Sequence, residues 1–164
     1  MADEEKKETV EQPEETPREE VVEAVPEKKA DVGKRIVAYI IDAVIAAVIG
    51  LIPILGLLIG AAYWALRDGL KIDFMDQRSI GKKVMKLRPV TLEGNKLELM
   101  DSVKRNWMFA AIPLSVLIPL LGWFILLPIF AIFALVEFIL LLTDAEGRRF
   151  GDKMAKTRVV EMED

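Results

Sequence analysis

Residues 34–50 read KRIVAYIIDAVIAAVIG, an apolar run that opens on Lys34-Arg35 and is broken by charge once, at Asp42. Arg35 and Asp42 are seven positions apart, two helical turns, so one helix face carries both, about 10 Å apart along its axis. An aspartate placed at mid-membrane costs about 2.5 to 3.5 kcal/mol to insert, which marks Asp42 as a candidate ion or proton ligand. The competing reading is a packing residue paired with an arginine. Helical side chains lean toward the N-terminus, so Arg35 is too distant, and Arg105 or Arg67 on another helix is the better partner. Glu137 is the one charge in the second apolar run. It would join Asp42 as a carboxylate pair, or simply sit near the interface.

The elements that must position these groups follow from hydropathy. The chain has 164 residues, 52% of them hydrophobic, with a mean hydropathy of +0.30. That weight falls in two blocks, 36–66 and 106–143, each longer than the roughly 20 residues that cross a bilayer. As a single helix the first block would be about 46 Å long, too long for one span, and Pro53 with Gly56 marks a break. The second block breaks near Pro119 to Trp123. Lys and Arg crowd all three flanks and are absent from both blocks, which places every flank in the cytoplasm and gives each block an even number of crossings. The expected fold is an all-α membrane protein: four transmembrane helices as two helical hairpins in the cell membrane, with both termini cytoplasmic. Trp64, Trp107 and Trp123, near block ends or turns, read as interfacial anchors.

Polar motifs recur along the chain. Asp31 to Arg35 matches Asp101 to Arg105 at an offset of 70, and residues 78–90 match 148–160 with six identities in thirteen. Leu51-Ile-Pro53 and Gly56 match Leu117-Ile-Pro119 and Gly122 at an offset of 66. A parallel internal repeat of about 31–90 and 101–160 is expected. Between the hairpins, residues 83–99 alternate around Glu93-Gly94-Asn95, predicting a small cytoplasmic β-hairpin, with residues 156–160 as a third strand. Residues 1–30 are rich in Glu, Pro and Lys without an aromatic, the composition of a disordered acidic tail. Twelve of the 26 acidic residues precede Arg35, so the formal charge of −4 describes the tail rather than the rest.

These motifs, in this order, resemble the RDD family of multi-pass membrane proteins over residues 32–160. Arg35 and Asp42 look like the family's arginine and first aspartate, and Asp152 like the second. Residues 76–82, Asp-Gln-Arg-Ser-Ile-Gly-Lys, resemble its D-G-x-[ST]-x-G-K motif, with Gln77 where a glycine is usual. Gly151 stands where many members carry histidine, so a proton relay through that histidine cannot hold here. The resemblance implies transport of a small solute, or cation/proton exchange.

Plainer readings stand beside these. Arg35 and Arg105 would be interfacial anchors whose guanidinium groups snorkel to head groups. Ser79, Gly81 and Lys82 would form a tight turn with lipid-facing cations, since the P-loop spacing is absent. The chain has no histidine or cysteine, and no nucleophile–base pair or metal-spaced carboxylate cluster, so no enzymatic activity, metal or cofactor is expected. The expected function is small-solute or cation/proton transport with Asp42 as coupling carboxylate. The alternative is a non-catalytic membrane anchor or assembly module. Expected partners are anionic head groups, further copies of the chain and a protein bound by the acidic tail; nucleic acid is not among them.

Overall fold

The computed structural model describes residues 28–162. Helix α1, Val32–Gly50, starts where the Asp31 side chain accepts the Lys34 N–H at 2.9 Å, an N-cap that satisfies one of the free donors of the first turn. Pro53 lies in the turn that follows, and Ile54 takes φ +59° to reverse the chain into α2, Leu55–Leu66. A Cβ on Gly56 would stand 2.1 Å from the carbonyl oxygen of Ile49, so only glycine lets α2 fold back this closely.

The second pair of helices turns the same way. Helix α4 is Leu99–Val116, and α5, Leu127–Thr143, continues a π-helical turn, Gly122–Leu126. Leu120 takes φ +61°, and a Cβ on Gly122 would stand 1.8 Å from the carbonyl oxygen of Ser115. Ile54 and Leu120, Gly56 and Gly122, and Ile49 and Ser115 are each 66 positions apart.

A short helix and a strand follow each pair: α3, Ile80–Val84, with β1, Leu87–Thr91, and α6, Phe150–Met154, with β2, Thr157–Glu161. Lys86 and Lys156 link helix to strand, both at φ +53°. The strands pair antiparallel with Pro89 opposite Val159, two positions 70 apart, so the register is centred on matching residues.

This pairing corrects the expected hairpin across residues 83–99. β1 takes β2 as its partner, and its link to the chain after the Gly94 turn shrinks to one bridge, Val90 to Lys96. The cause is length: Glu98 already caps α4, its N–H held by Asp101 at 3.1 Å, so too few residues remain for a strand. The other edge of β2 receives Lys28 to Ala30, through a Lys29–Val160 bridge and the Ala30 N–H on the Val159 carbonyl at 3.3 Å. The rest of the expected acidic tail lies outside the described residues.

The packing is inverted relative to a water-soluble core. Helix α5 buries Glu137 and Leu141 while Ile132, Leu135 and Leu142 face outward; α1 buries Arg35, Ala38 and Asp42 while Ile40, Val44 and Val48 face outward. An outward apolar surface on this scale suits lipid and not water. Gly122–Thr143, with 22 residues, is the one described helix both long and apolar enough to cross a membrane. Helix α2 has 12 residues, while α1 carries Lys34, Arg35 and Asp42 and α4 carries Asp101, Lys104 and Arg105.

Trp64 departs from its expected role as an interfacial anchor. It is 6% exposed and stacks on Phe109 at 5.5 Å, because α2 packs against α4. Trp107 and Trp123 are exposed.

The two turn glycines generate a paired prediction. Gly56→Ala and Gly122→Ala should each cost about 1–3 kcal/mol or more, since a methyl is forced into backbone. Gly50→Ala has open space around its Cβ and should gain up to about 1 kcal/mol. Thermal unfolding of the purified protein in detergent checks all three; equal effects would refute the close-approach account.

Candidate functional site

The apolar helices converge on a buried cluster of charge at their polar ends. Helix α1 carries Arg35 and Asp42, the end of α2 leads into Arg67 and Asp68, and α4 supplies Arg105 and Asn106. Glu137 comes from α5, Lys82 from α3, and Arg149 and Asp152 from the start of α6. None of these side chains belongs to a residue more than 8% exposed.

Asp42 is held by three donors. Arg67 Nη1 reaches Oδ2 at 2.7 Å, while the Tyr63 hydroxyl and the Gly81 N–H reach Oδ1 at 2.7 and 2.8 Å. Arg67 in turn lies 4.0 Å from the face of Trp64. Asp152 gathers three arginines: Arg35 Nη2 on Oδ2 and Arg105 Nη2 on Oδ1, both at 2.7 Å, and Arg149 Nη2 at 3.4 Å. Arg35 also donates to the Gly147 carbonyl. Asp68 takes Lys82 at 2.8 and 3.0 Å and Asn106 at 3.1 Å, with Arg105 Nε at 3.6 Å.

Glycine makes the cluster possible. A Cβ on Gly81 would come within 2.0 Å of the Ala38 carbonyl oxygen, and one on Gly151 within 2.1 Å of that of Arg105. Each short helix thus lies directly on a long one, and its glycine N–H points at a carboxylate: Gly81 at Asp42, Gly151 at Glu137 Oε1, 3.1 Å. In sequence Asp42 aligns with Ile112, but Glu137, one helix later, accepts the matching N–H.

A cavity of about 250 Å³ opens beside the cluster, between α1 and α5. Arg35, Arg67, Lys82 and Arg149 line it with Asp42 and Glu137, and Phe109, Ala134, Phe138 and Leu141 are among its apolar lining. Electrostatics follow from the pairing. Burial opposes ionisation of Asp152, yet Arg105, Arg149 and Arg35 hold its carboxyl well below the usual range. Asp68 is likewise held low against burial, by Lys82, Arg105 and Arg67. Burial lowers Lys82 from 10.5 to about 7 in spite of Asp68, with Arg67 and Arg105 pushing the same way.

A family model described as the RDD family matches residues 29–156. The chain belongs to the RDD family. No curated protein and no solved structure matches it. The family is membrane-associated, which agrees with the outward apolar faces and the apolar helix Gly122–Thr143. Arg35, Asp42 and Asp152, the residues that carry the RDD resemblance, all lie in the cluster, and Arg35 and Asp152 are bonded to each other. At Gln77, where the RDD motif has glycine, φ is +53°, the left-handed region that glycine enters without steric cost.

Several sequence readings change. Arg35 and Arg105 do not snorkel; both are buried against Asp152, because the last segment of the chain folds onto the first helices of both pairs. Lys82 is not lipid-facing but paired with Asp68, and Ser79 caps α3 while its N–H rests on Asp68. Asp42 takes Arg67, one of the two partners expected, while Arg105 goes to Asp152 and Asp68. Asp68, Arg149, Tyr63 and Asn106 were not anticipated. Asp68 carries a weak sequence signal as the first acidic residue after the first apolar block; Arg149, beside the repeated Arg148, carries none that separates it from a surface cation.

These ionisations set the pH dependence. The folded pKa values of Asp68 and Asp152 lie below the unfolded value of 3.8, so their stabilisation is full above it and is lost as pH falls toward the folded values. Lys82 acts with the same sign in a higher window: the unfolded chain keeps its proton up to 10.5 and the folded chain releases it near 7, so stability rises with pH between those values. Unfolding midpoints across pH should therefore fall in acid. Asp152→Asn should cost about 3–5 kcal/mol by leaving buried arginines unpaired, and should flatten the acid limb; an unchanged limb would refute the assignment.

Proposed function

We propose that this RDD protein is a multi-pass membrane transporter, in which α1, α2, α4 and α5 form two hairpins around a binding cavity for a small solute or ion. The observation that carries this reading is the charged cavity between α1 and α5, enclosed by helices whose outer faces are apolar. Buried ionisable groups in such a setting are expensive and are typical of ion and substrate pathways. The shared turn geometry, the Lys86 and Lys156 conformations and the centred strand register support two related units. With the basic flanks, they support cytoplasmic termini and a short β element lying against anionic head groups.

Within this reading Asp42 is the coupling carboxylate. Its two oxygens tie α1 to Tyr63 and Arg67 at the end of the first hairpin and to α3 through the Gly81 N–H. A cation or proton taken up there would loosen three elements together. The alternative is a non-catalytic membrane anchor or assembly module, and the threefold pairing of Asp42 favours it, since a carboxylate so fully satisfied serves structure well.

Flux in proteoliposomes separates the two. Asp42→Asn should lower ion- or proton-coupled solute flux by about 5- to 150-fold, the size of a typical coupling free energy, in vesicles holding equal amounts of folded protein. Flux at the wild-type rate would rule out Asp42 as coupler and leave the module reading.

A further inference from the structure

Among the described residues, five buried cations, Arg35, Arg67, Lys82, Arg105 and Arg149, share the cluster with four carboxylates, Asp42, Asp68, Glu137 and Asp152. The imbalance is uneven in space. Four of the cations line the cavity but only Asp42 and Glu137 do so among the carboxylates, while Asp68 and Asp152 sit behind the wall. Asp42 has both oxygens occupied. The Arg149 guanidinium makes one hydrogen bond to a side chain, to Asp152 at 3.4 Å, and its Nε pairs with Glu137 Oε2 only at 3.9 Å, without a hydrogen-bond partner. A guanidinium buried this far with an unmade bond is costly, and its planar donors suit an oxyanion.

We propose that the cavity between α1 and α5 binds a small oxyanion, a carboxylate or phosphate on an apolar stem, with Arg149 and Arg35 facing the head. Phe109, Ala134, Phe138 and Leu141 receive the stem, and a volume of about 250 Å³ limits the ligand to a head and a short chain. The inference deepens the transport reading by naming a ligand class, and rests on it in treating the cavity as a ligand site. Glu137 is the residue that opposes the head: one like charge on the same wall, without which the anion is held more tightly.

The test is thermal stabilisation and calorimetric titration of the full chain in neutral detergent. The probes are inorganic phosphate, acetate, octanoate and octyl phosphate, with octylamine and octanol as charge controls. Anionic probes should bind and the controls should not. Binding by phosphate or acetate alone points to a soluble anion, and binding confined to octanoate and octyl phosphate points to an acidic amphiphile drawn from the bilayer. Glu137→Gln should tighten binding by about tenfold, a gain that misfolding cannot produce, and Arg149→Gln should weaken it. The proposal is overturned if the controls bind as well as octanoate, if no anion binds, or if Glu137→Gln leaves affinity unchanged. Its failure is distinct from that of the transport reading: absent anion binding with flux intact removes only this inference, and flux unaffected by Asp42→Asn with anion binding intact removes only the coupling role of Asp42.

Discussion

The carboxylate of Asp152 meets Arg35 from the first helix and Arg105 from the third long helix, with Arg149 from its own cap. One short polar side chain, entering late in the chain, thereby joins the first long helix to the third. Apolar burial cannot do this work in a molecule whose hydrophobic faces point outward, since lipid competes equally well for them. Directional charged contacts must supply the specificity instead. Ion pairs of this kind contribute little net stability against an apolar replacement, but losing one partner is severe, because the survivors stay buried and uncompensated.

Close backbone approach is the second constraint, and it serves the first. Gly81 and Gly151 let short helices lie on α1 and α4 with no side chain between, which brings an N–H to Asp42 and another to Glu137. The strands after those helices then meet in a register centred on Pro89 and Val159. The two halves are therefore alike in backbone and unlike in charge. Asp42 and Arg67 are bonded on the first side; on the second, Glu137 and Arg149 stand close without a hydrogen bond.

Much of this organisation is written locally. Apolar runs with Pro53 and Pro119 announce two reversals, and Asp31, Gly56 and Gly122 act through neighbours a few residues away. The same locality makes Asp42 conspicuous, since a charge in a long apolar run needs no partner in view to be recognised as unusual. The hairpin expected over residues 83–99 shows the limit: alternation and a Gly turn fit a strand on either side, and the choice of β2 as partner depended on a segment some seventy residues away.

Residue type and spacing thus settled the apolar helices, their breaks, the family and the three residues that carry its resemblance. Pairing was settled by the fold. An arginine at a helix mouth reads the same whether it reaches lipid head groups or a buried aspartate, because the sequence around it is apolar in both cases. Arg35 and Arg105 meet Asp152 where the last helix packs against theirs, and Asp68 is a partner of Lys82 and Arg105 through proximity in space. Coulomb interactions depend on distance through space, and distance along the chain does not predict it.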